Sequence, residues 1–394
     1  MPPFLRYLGR GCLAVLLGVA LGGCASVPLD AARRDFYEGR FDRAEGRLRD
    51  APIPTGKRAL FLMERGMIAQ TGQDYAESTR DWLEAVEEED ALETYSLSQA
   101  AASLVVNDRT MDFRGAPFER TLLHTFLAAN YMTQGMWEDA AVEGRRAIGR
   151  LQDLQGFPDD AFSRYVAGFT LERMSDWTGA ALQYRMASNL LAGVRIDDRT
   201  GRLAPVPAAA GTNEPVQAEP APQSELVCLI LMGRAPDPLC RRECAWGGAP
   251  YADITAGSNW LGRSYVLADV AQLAEATAKR RAAMQAAKFA MRVAVKAAIW
   301  NGVRHVNRDL GDLLEFLFIV SELPDDRYWE TLPQWLEVAR VPCPAGLTSF
   351  DVSFRDSAGR LCSTLTVRQP IARDGRVFFA VCRDIPPAEP LPRK

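Results

Sequence analysis

The stretch "QTGQDYAESTRDWLEA" (70–85) sets the pattern from which the first half of the chain is read. Tyr75, Ser78, Trp82 and Ala85 fall at i, i+3, i+7 and i+10, one face of an α-helix, with Gly72 and Asp74 as a turn before it. The same order recurs in "YEGRFDRAEGRL" (37–48), "MTQGMWEDAAVEGRRA" (132–147) and "RMSDWTGAALQYRMA" (173–187). The aromatics are Phe41, Tyr75, Trp137 and Trp177. The small residues three places on are Ala44, Ser78, Ala140 and Ala180. Leu48, Trp82, Gly144 and Tyr184 come next, then Ala51, Ala85, Ala147 and Ala187. Gly66, Ala128 and Gly168 lie nine residues before an aromatic, where two helices must come close. The pattern predicts a helix–turn–helix unit in which small residues admit the neighbouring helix and the aromatic fills the gap. One such unit cannot bury its own apolar face, so units stack. A plain helical bundle satisfies the same pattern.

This pattern resembles the tetratricopeptide repeat, whose period is about 34 residues. Phe41 and Tyr75 lie 34 residues apart, whereas Trp137 and Trp177 lie 40 apart and Tyr75 and Trp137 lie 62 apart. The longest interval accommodates an extra helix near 90–106 and the loop "NDRTMDFRGAP". Arg65 and Gly144 depart from the repeat's usual residues, and its terminal proline survives only as Pro52. The resemblance implies an all-α domain over 24–200 with a concave groove along the first helices of the pairs. Carried over by register, Met63, Met67, Met132, Tyr165 and Phe169 fall on that face, where Met and aromatic residues serve as peptide anchors. The same five residues would equally pack against neighbouring helices or a second domain.

After a Pro/Ala-rich linker (201–224), an α+β domain is expected over 225–385, with a disordered tail at 386–394. "ELVCLILMG" (225–233) reads as a buried strand. The Ala-rich region 264–302 reads as a long helical region with room for a break near its start, and Arg281, Lys288, Arg292 and Lys296 fall on one narrow wet face. "DLGDLLEFLFIVSE" (309–322) adds a short helix. "LEVARVPC", "TSFDVSFRD", "LCSTLTVRQ" and "RVFFAVCRD" alternate with the turn signals "PAG", "SAGR" and "ARDG". They predict a small antiparallel sheet that the strand at 225 joins. The fold class is therefore α+β, a helical-repeat front half followed by a smaller sheet-containing half.

The first 23 residues read as an export signal. Arg6 and Arg10 precede the apolar run "CLAVLLGVALGG", which is too short to span a bilayer. "LGGC" (21–24) then resembles the bacterial lipobox, with small Gly22 and Gly23 ahead of Cys24. The resemblance implies cleavage after Gly23, lipidation of Cys24, and a membrane anchor worth about 0.8 kcal/mol per buried CH₂. Ala25, where an inner-membrane retention signal places Asp, implies the outer membrane; the periplasmic side is expected, although the sequence itself does not fix which side the body faces. Cleavage takes the formal charge from −4 to −6 by removing Arg6 and Arg10. A chain of that charge has no global attraction for nucleic acid.

Six cysteines remain, Cys228, Cys240, Cys244, Cys343, Cys362 and Cys382. An even number in an exported chain predicts at least one disulfide, without fixing the pairing. "CRREC" (240–244) lacks a second cysteine pair, and His124 and His305 are remote in sequence, so no metal is expected. The chain contains no phosphate loop, no dinucleotide glycine fingerprint and no GxSxG. "TAGSNW" (255–260) and "HVNRD" (305–309) are isolated fragments without partners. No catalytic residue, cofactor or small-molecule substrate is therefore assigned.

"MGRAP" (232–236), the basic Ala-rich helix and "DDRYWETLPQWLEVARVPCPAG" (325–346) together resemble a family of Gram-negative envelope lipoproteins with a repeat-like helical front half. Asp326, Arg327, Trp329, Thr331, Leu332, Pro333, Val338 and Ala339 carry the likeness, and Met232 stands where that pattern has Asn. The expectation that follows is a lipid-anchored, non-enzymatic adaptor that holds an envelope protein partner in its helical groove. The alternative is a glycan-binding or glycan-active cell-wall factor with its site in the second half. An aromatic–carboxylate surface there would favour the alternative.

Overall fold

Four helical hairpins build the front half, and in each the repeat's aromatic is the first residue of the second helix. The pairs are α1 (Val27–Tyr37) with α2 (Phe41–Arg49), α3 (Arg58–Thr71) with α4 (Tyr75–Ser98), α5 (Pro117–Thr133) with α6 (Trp137–Gln152), and α7 (Ala161–Arg173) with α8 (Trp177–Asn189). The computed structural model describes residues 27–53, 56–98, 113, 115–154, 156–206, 224–235, 250–284, 327–369 and 371–388. Asp160 caps α7, accepting from the backbone N–H of Phe162 and Ser163 at 2.9 and 3.2 Å. Asp176 caps α8 through Gly179 N–H at 2.9 Å. These bonds satisfy donors that a helix start leaves unpaired.

Within the pairs, close approach is set by small residues. A Cβ on Gly66 would lie 2.3 Å from the Trp82 indole, and one on Gly168 would lie 3.1 Å from the Tyr184 ring. The residue that fills the gap between helices is thus the one seven places after the turn. Leu48, Trp82 and Tyr184 are buried, while Trp177 at the turn is 56% exposed.

The second half holds two sheets rather than the single small antiparallel sheet expected. The five-stranded sheet runs β10-β11-β3-β7-β6, and the four-stranded sheet runs β5-β4-β8-β9. Their strands are β3 (Glu225–Met232), β4 (Tyr251–Ala256), β5 (Asn259–Arg263), β6 (Tyr265–Asp269), β7 (Trp335–Pro342), β8 (Ser349–Arg355), β9 (Leu361–Arg368), β10 (Ala372–Asp374) and β11 (Val377–Arg383). β3 and β11 pair in parallel, and every other pairing is antiparallel. A short hairpin pairs β1 (Val194–Ile196), at the end of the domain expected to be all-α, with β2 (Leu203–Pro205), at the start of the expected linker. The region read as a long helical stretch from 264 begins as strand β6, and helix α9 follows over 270–284. The rest of that stretch, with Lys288, Arg292 and Lys296, lies outside the described residues, as does the expected helix at 309–322. Of the tail, 386–388 is described, and Ala388 N–H donates to Gly39 O at 2.9 Å.

The layers follow from alternation along the strands. On β3, Val227, Leu229 and Leu231 face the helices, while Leu226, Cys228 and Ile230 face the other sheet. A strand buried on both faces reads as a continuous apolar run, and "LVCLILM" is one. The molecule is therefore three layers, with helices, the five-stranded sheet and the four-stranded sheet in that order. The chain passes between the two sheets at Ser264, whose hydroxyl bonds the buried Glu337 carboxyl.

Candidate functional site

Helices α5 and α7 pack on the chain's own five-stranded sheet. Met63, Met67, Met132 and Tyr165 are fully buried and Phe169 is 1% exposed. Tyr165 donates its hydroxyl to Gly201 O at 3.0 Å. Phe169 stacks on Phe379 of β11 with ring centroids 6.0 Å apart. The expectation that these five side chains form an open partner groove is corrected here. The sequence showed an apolar face on the first helices but not which part of the same chain covers it.

The stretch 327–332 closes that joint. Trp329 is fully buried, its ring 5.9 Å from both Trp82 and Phe126. Its backbone N–H donates to Glu119 Oε1 at 2.8 Å, and Arg327 Nη1 donates to Gly56 O at 2.9 Å. Glu64 on α3 accepts from Arg33 Nη2 and from the Glu330 N–H, both at 2.8 Å. Arg234 from "MGRAP" lies over the Tyr37 ring at 4.5 Å. Two of the three segments that carry the envelope-lipoprotein resemblance thus meet each other and α1, with Ala235 N–H donating to Leu332 O at 2.8 Å.

The acidic groups of the interior are likewise engaged in structure. Burial pushes Asp160 up to about 6, against the bonds it accepts as a cap. Burial pushes Glu337 up to about 8, with the Ser264 bond pulling the other way. The His124 ring Nδ1 lies 2.8 Å from Glu143 Oε2, and Glu143 Oε1 accepts from Arg146 at 2.7 Å. His124 lines a cavity of about 520 Å³, and among the described residues Asp90, Asp153, Arg120, Arg146 and Arg150 line it with no Ser, Thr or Cys. Among the described residues, no group of three His, Cys, Asp or Glu converges as a metal set would.

The described cysteines carry no disulfide. Cys228 and Cys382 are buried, Cys343 is half-buried and Cys362 is exposed, all as thiols. Cys228 lies opposite Ala380 and Cys382 opposite Ile230, on adjacent strands β3 and β11 in the layer between the sheets. There they pack as small apolar side chains, and burial pushes the Cys228 thiol well up. The predicted bridge is not found among these four. Cys240 and Cys244 lie outside the described residues.

Two exposed tryptophans stand out among the described residues, Trp177 at the start of α8 and Trp260 on the outer face of the four-stranded sheet. Alternation turns Ala252 and Ile254 inward, which places Tyr251, Asp253 and Thr255 outward. Register then sets their neighbours: Arg263 and Ser353 flank Asp253, Trp260 and Asp351 flank Thr255, and Arg355 lies opposite Tyr251. Trp260 is 61% exposed, and its indole N–H donates to Asp253 Oδ1 at 3.2 Å. Asp253 Oδ2 accepts from Arg355 Nε at 2.7 Å. The Arg263 guanidinium lies 4.3 Å from the Tyr251 ring centroid, and Thr366 donates to Asp351 at 2.6 Å. The result is an exposed aromatic ring held at its edge by a carboxylate, inside a grid of hydroxyl, carboxylate and guanidinium groups. Sequence reasoning passed over it, although "TAGSNW" is its hairpin, with Gly257 at φ +61 in the turn. An aromatic two residues after a Gly-Ser turn was the available signal.

No protein-family model and no curated protein matches this chain.

Proposed function

We propose that the protein is an outer-membrane lipoprotein that works by binding, and that it binds cell-wall glycan on the open face of the four-stranded sheet. The observation that carries this reading is Trp260, a large apolar ring left in solvent with Asp253, Arg355 and Arg263 beside it. A ring face carries partial negative charge. Sugar C–H groups, which carry the opposite sign, stack on it, while carboxylate and guanidinium groups bond the hydroxyls. The lipobox supports the location. Helix α1 begins at Val27, so a lipidated Cys24 leaves only a tether of about 10 Å at full extension. The body then lies close against the membrane. The front half, read as a tetratricopeptide-type array, acts in this account as a cradle for the sheet.

A second reading is a non-enzymatic adaptor for an envelope protein, favoured by one feature. Strand β9 is the outer strand of its sheet among the described residues. Its residues 361–367 carry no charge and no proline, the usual devices for blocking an added strand.

Cosedimentation of the chain carrying Cys24→Ser with insoluble cell-wall glycan separates the two. Saturable pelleting that soluble wall fragments reverse supports the first reading. A chain that stays in the supernatant sinks it.

A further inference from the structure

The cavity of about 520 Å³ that His124 lines draws its other described walls from α5, α6, the chain just after α6, and Asp90 of α4. Leu154 and Phe157 are its apolar part, and Arg120, Arg146 and Arg150 supply positive charge against Asp90 and Asp153. Gly149 of α6 leaves one wall bare, since a Cβ there would meet nothing within 4 Å.

One buried polar side chain reaches this space. His124 is 3% exposed, and its Nδ1 lies 2.8 Å from Oε2 of the buried Glu143. Glu143 also accepts from Arg146 Nη1 at 2.7 Å. A carboxylate only accepts, so the ring hydrogen sits on Nδ1 and Nε2 of the neutral ring is an acceptor in its turn. Nε2 makes no hydrogen bond to a described residue, and it is not sealed from solvent as the unpaired atoms of Glu337 and Arg383 are. The Arg146 side chain is 51% exposed. With one nitrogen on Glu143, its guanidinium keeps further N–H groups that an anion can use.

We propose that this cavity binds a sugar acid, a hydroxylated ring that carries one carboxylate. The carboxylate lies on Arg146, a ring hydroxyl donates to His124 Nε2, and the ring rests against Phe157 and Leu154. Three guanidinium groups against two carboxylates leave the described lining net positive, which favours an anion. The acceptors narrow the choice. His124 Nε2 and the two aspartates face a ligand that must bring O–H donors, which a sugar acid has and a phosphate dianion lacks. At about 30 Å³ per water-sized group, 520 Å³ takes about seventeen heavy atoms, room for a hexuronate of about thirteen. The site belongs to α5 and α6, apart from Trp260, and does not depend on the reading given to the four-stranded sheet.

Calorimetric titration of glucuronate into the full chain held in amphipol tests the proposal, with glucose as the uncharged control and inorganic phosphate as the anion without a sugar ring. Glucuronate binds saturably, and about ten-fold or more tightly than either control. Gly149→Leu keeps every charged group, favours the helix and fills the cavity from α6, so glucuronate binding disappears. Arg146→Met weakens glucuronate about five-fold or more. Trp260→Ala leaves it unchanged, which separates this site from the sheet. No saturable glucuronate binding, glucose or phosphate bound as tightly, unchanged binding by Gly149→Leu or Arg146→Met, or loss of binding in Trp260→Ala overturns the proposal.

Discussion

Arg340 on β7 grips Glu172 on α7 with two hydrogen bonds of 2.8 Å, and the two side chains are 6% and 4% exposed. Arg340 Nε also donates to Glu225 at 2.7 Å, and the Tyr184 hydroxyl donates to Glu172 at 2.7 Å. Burial raises the Glu172 carboxyl, but the bonds and charge of Arg340 outweigh it and hold the group below its ordinary value. Its contribution to stability is therefore present above the unfolded pKa of about 4.3 and is lost as pH falls through the folded value. Arg340→Met takes two charge-assisted bonds from the buried Glu172 and leaves it Arg173 at 3.1 Å, at a cost of about 3 kcal/mol. Urea unfolding at pH 7 reads this directly, and a loss below about 1 kcal/mol would mean the pair is dispensable.

Glu337 has the opposite sign. Burial and the nearby Asp384 charge raise it to about 8, the Ser264 bond opposing. The folded state prefers the protonated form. The associated stability is complete below the unfolded pKa of about 4.3 and declines until pH passes about 8. Glu337→Gln keeps a neutral side chain at every pH. Unfolding midpoints at pH 5 and pH 9 then differ less in the variant than in the wild type, and an identical drop in both refutes the assignment.

Two glycines test the helix packing in opposite directions. At Gly66 an added Cβ meets an indole that is itself held by a 3.0 Å bond to Met63 O and by the rings of Phe126 and Trp329. Gly66→Ala loses about 1–3 kcal/mol through overpacking, more than the helix-propensity gain of up to about 1 kcal/mol. Gly46, exposed within α2, has nothing within 4 Å of such a Cβ. Gly46→Ala gains about 0.5–1 kcal/mol. Equal effects at the two sites would disprove the close approach.

The helical hairpins were legible because repetition reports itself: the same spacing at Phe41, Tyr75, Trp137 and Trp177 marks four turns. The strands were legible from alternation, but not their partition into two sheets. That partition depends on repeated crossings between the sheets, of which Ser264 between β5 and β6 is one, and on β3 pairing in parallel with β11 some 150 residues later. Nothing local in "ELVCLILMG" encodes that partner. The groove reading failed for a related reason. Met63 and Tyr165 present the same apolar pattern whether the cover is another protein or this chain's own sheet. Trp260 was missed because a lone exposed aromatic has no periodicity to reveal it.

The proposed lipidation of Cys24 has its own test. Under that proposal Cys24→Ser moves the chain from the membrane fraction to the soluble fraction and abolishes labelling by a fatty-acid analogue, because the proposed acyl chains would supply the anchor. Equal labelling of both proteins would remove the lipobox from the account.

The most direct measurement is the binding of Trp260→Ala, beside the otherwise wild-type chain, to insoluble cell-wall glycan. Trp260 is 61% exposed, so its removal leaves the melting temperature within a degree or two, as surface changes of up to about 0.5 kcal/mol do. Loss of an aromatic anchor costs about 2 kcal/mol or more of binding, which at about 1.4 kcal/mol per decade is more than ten-fold. The account predicts that loss with the fold intact. Wall binding that is equal in the two proteins, or absent from both, contradicts it.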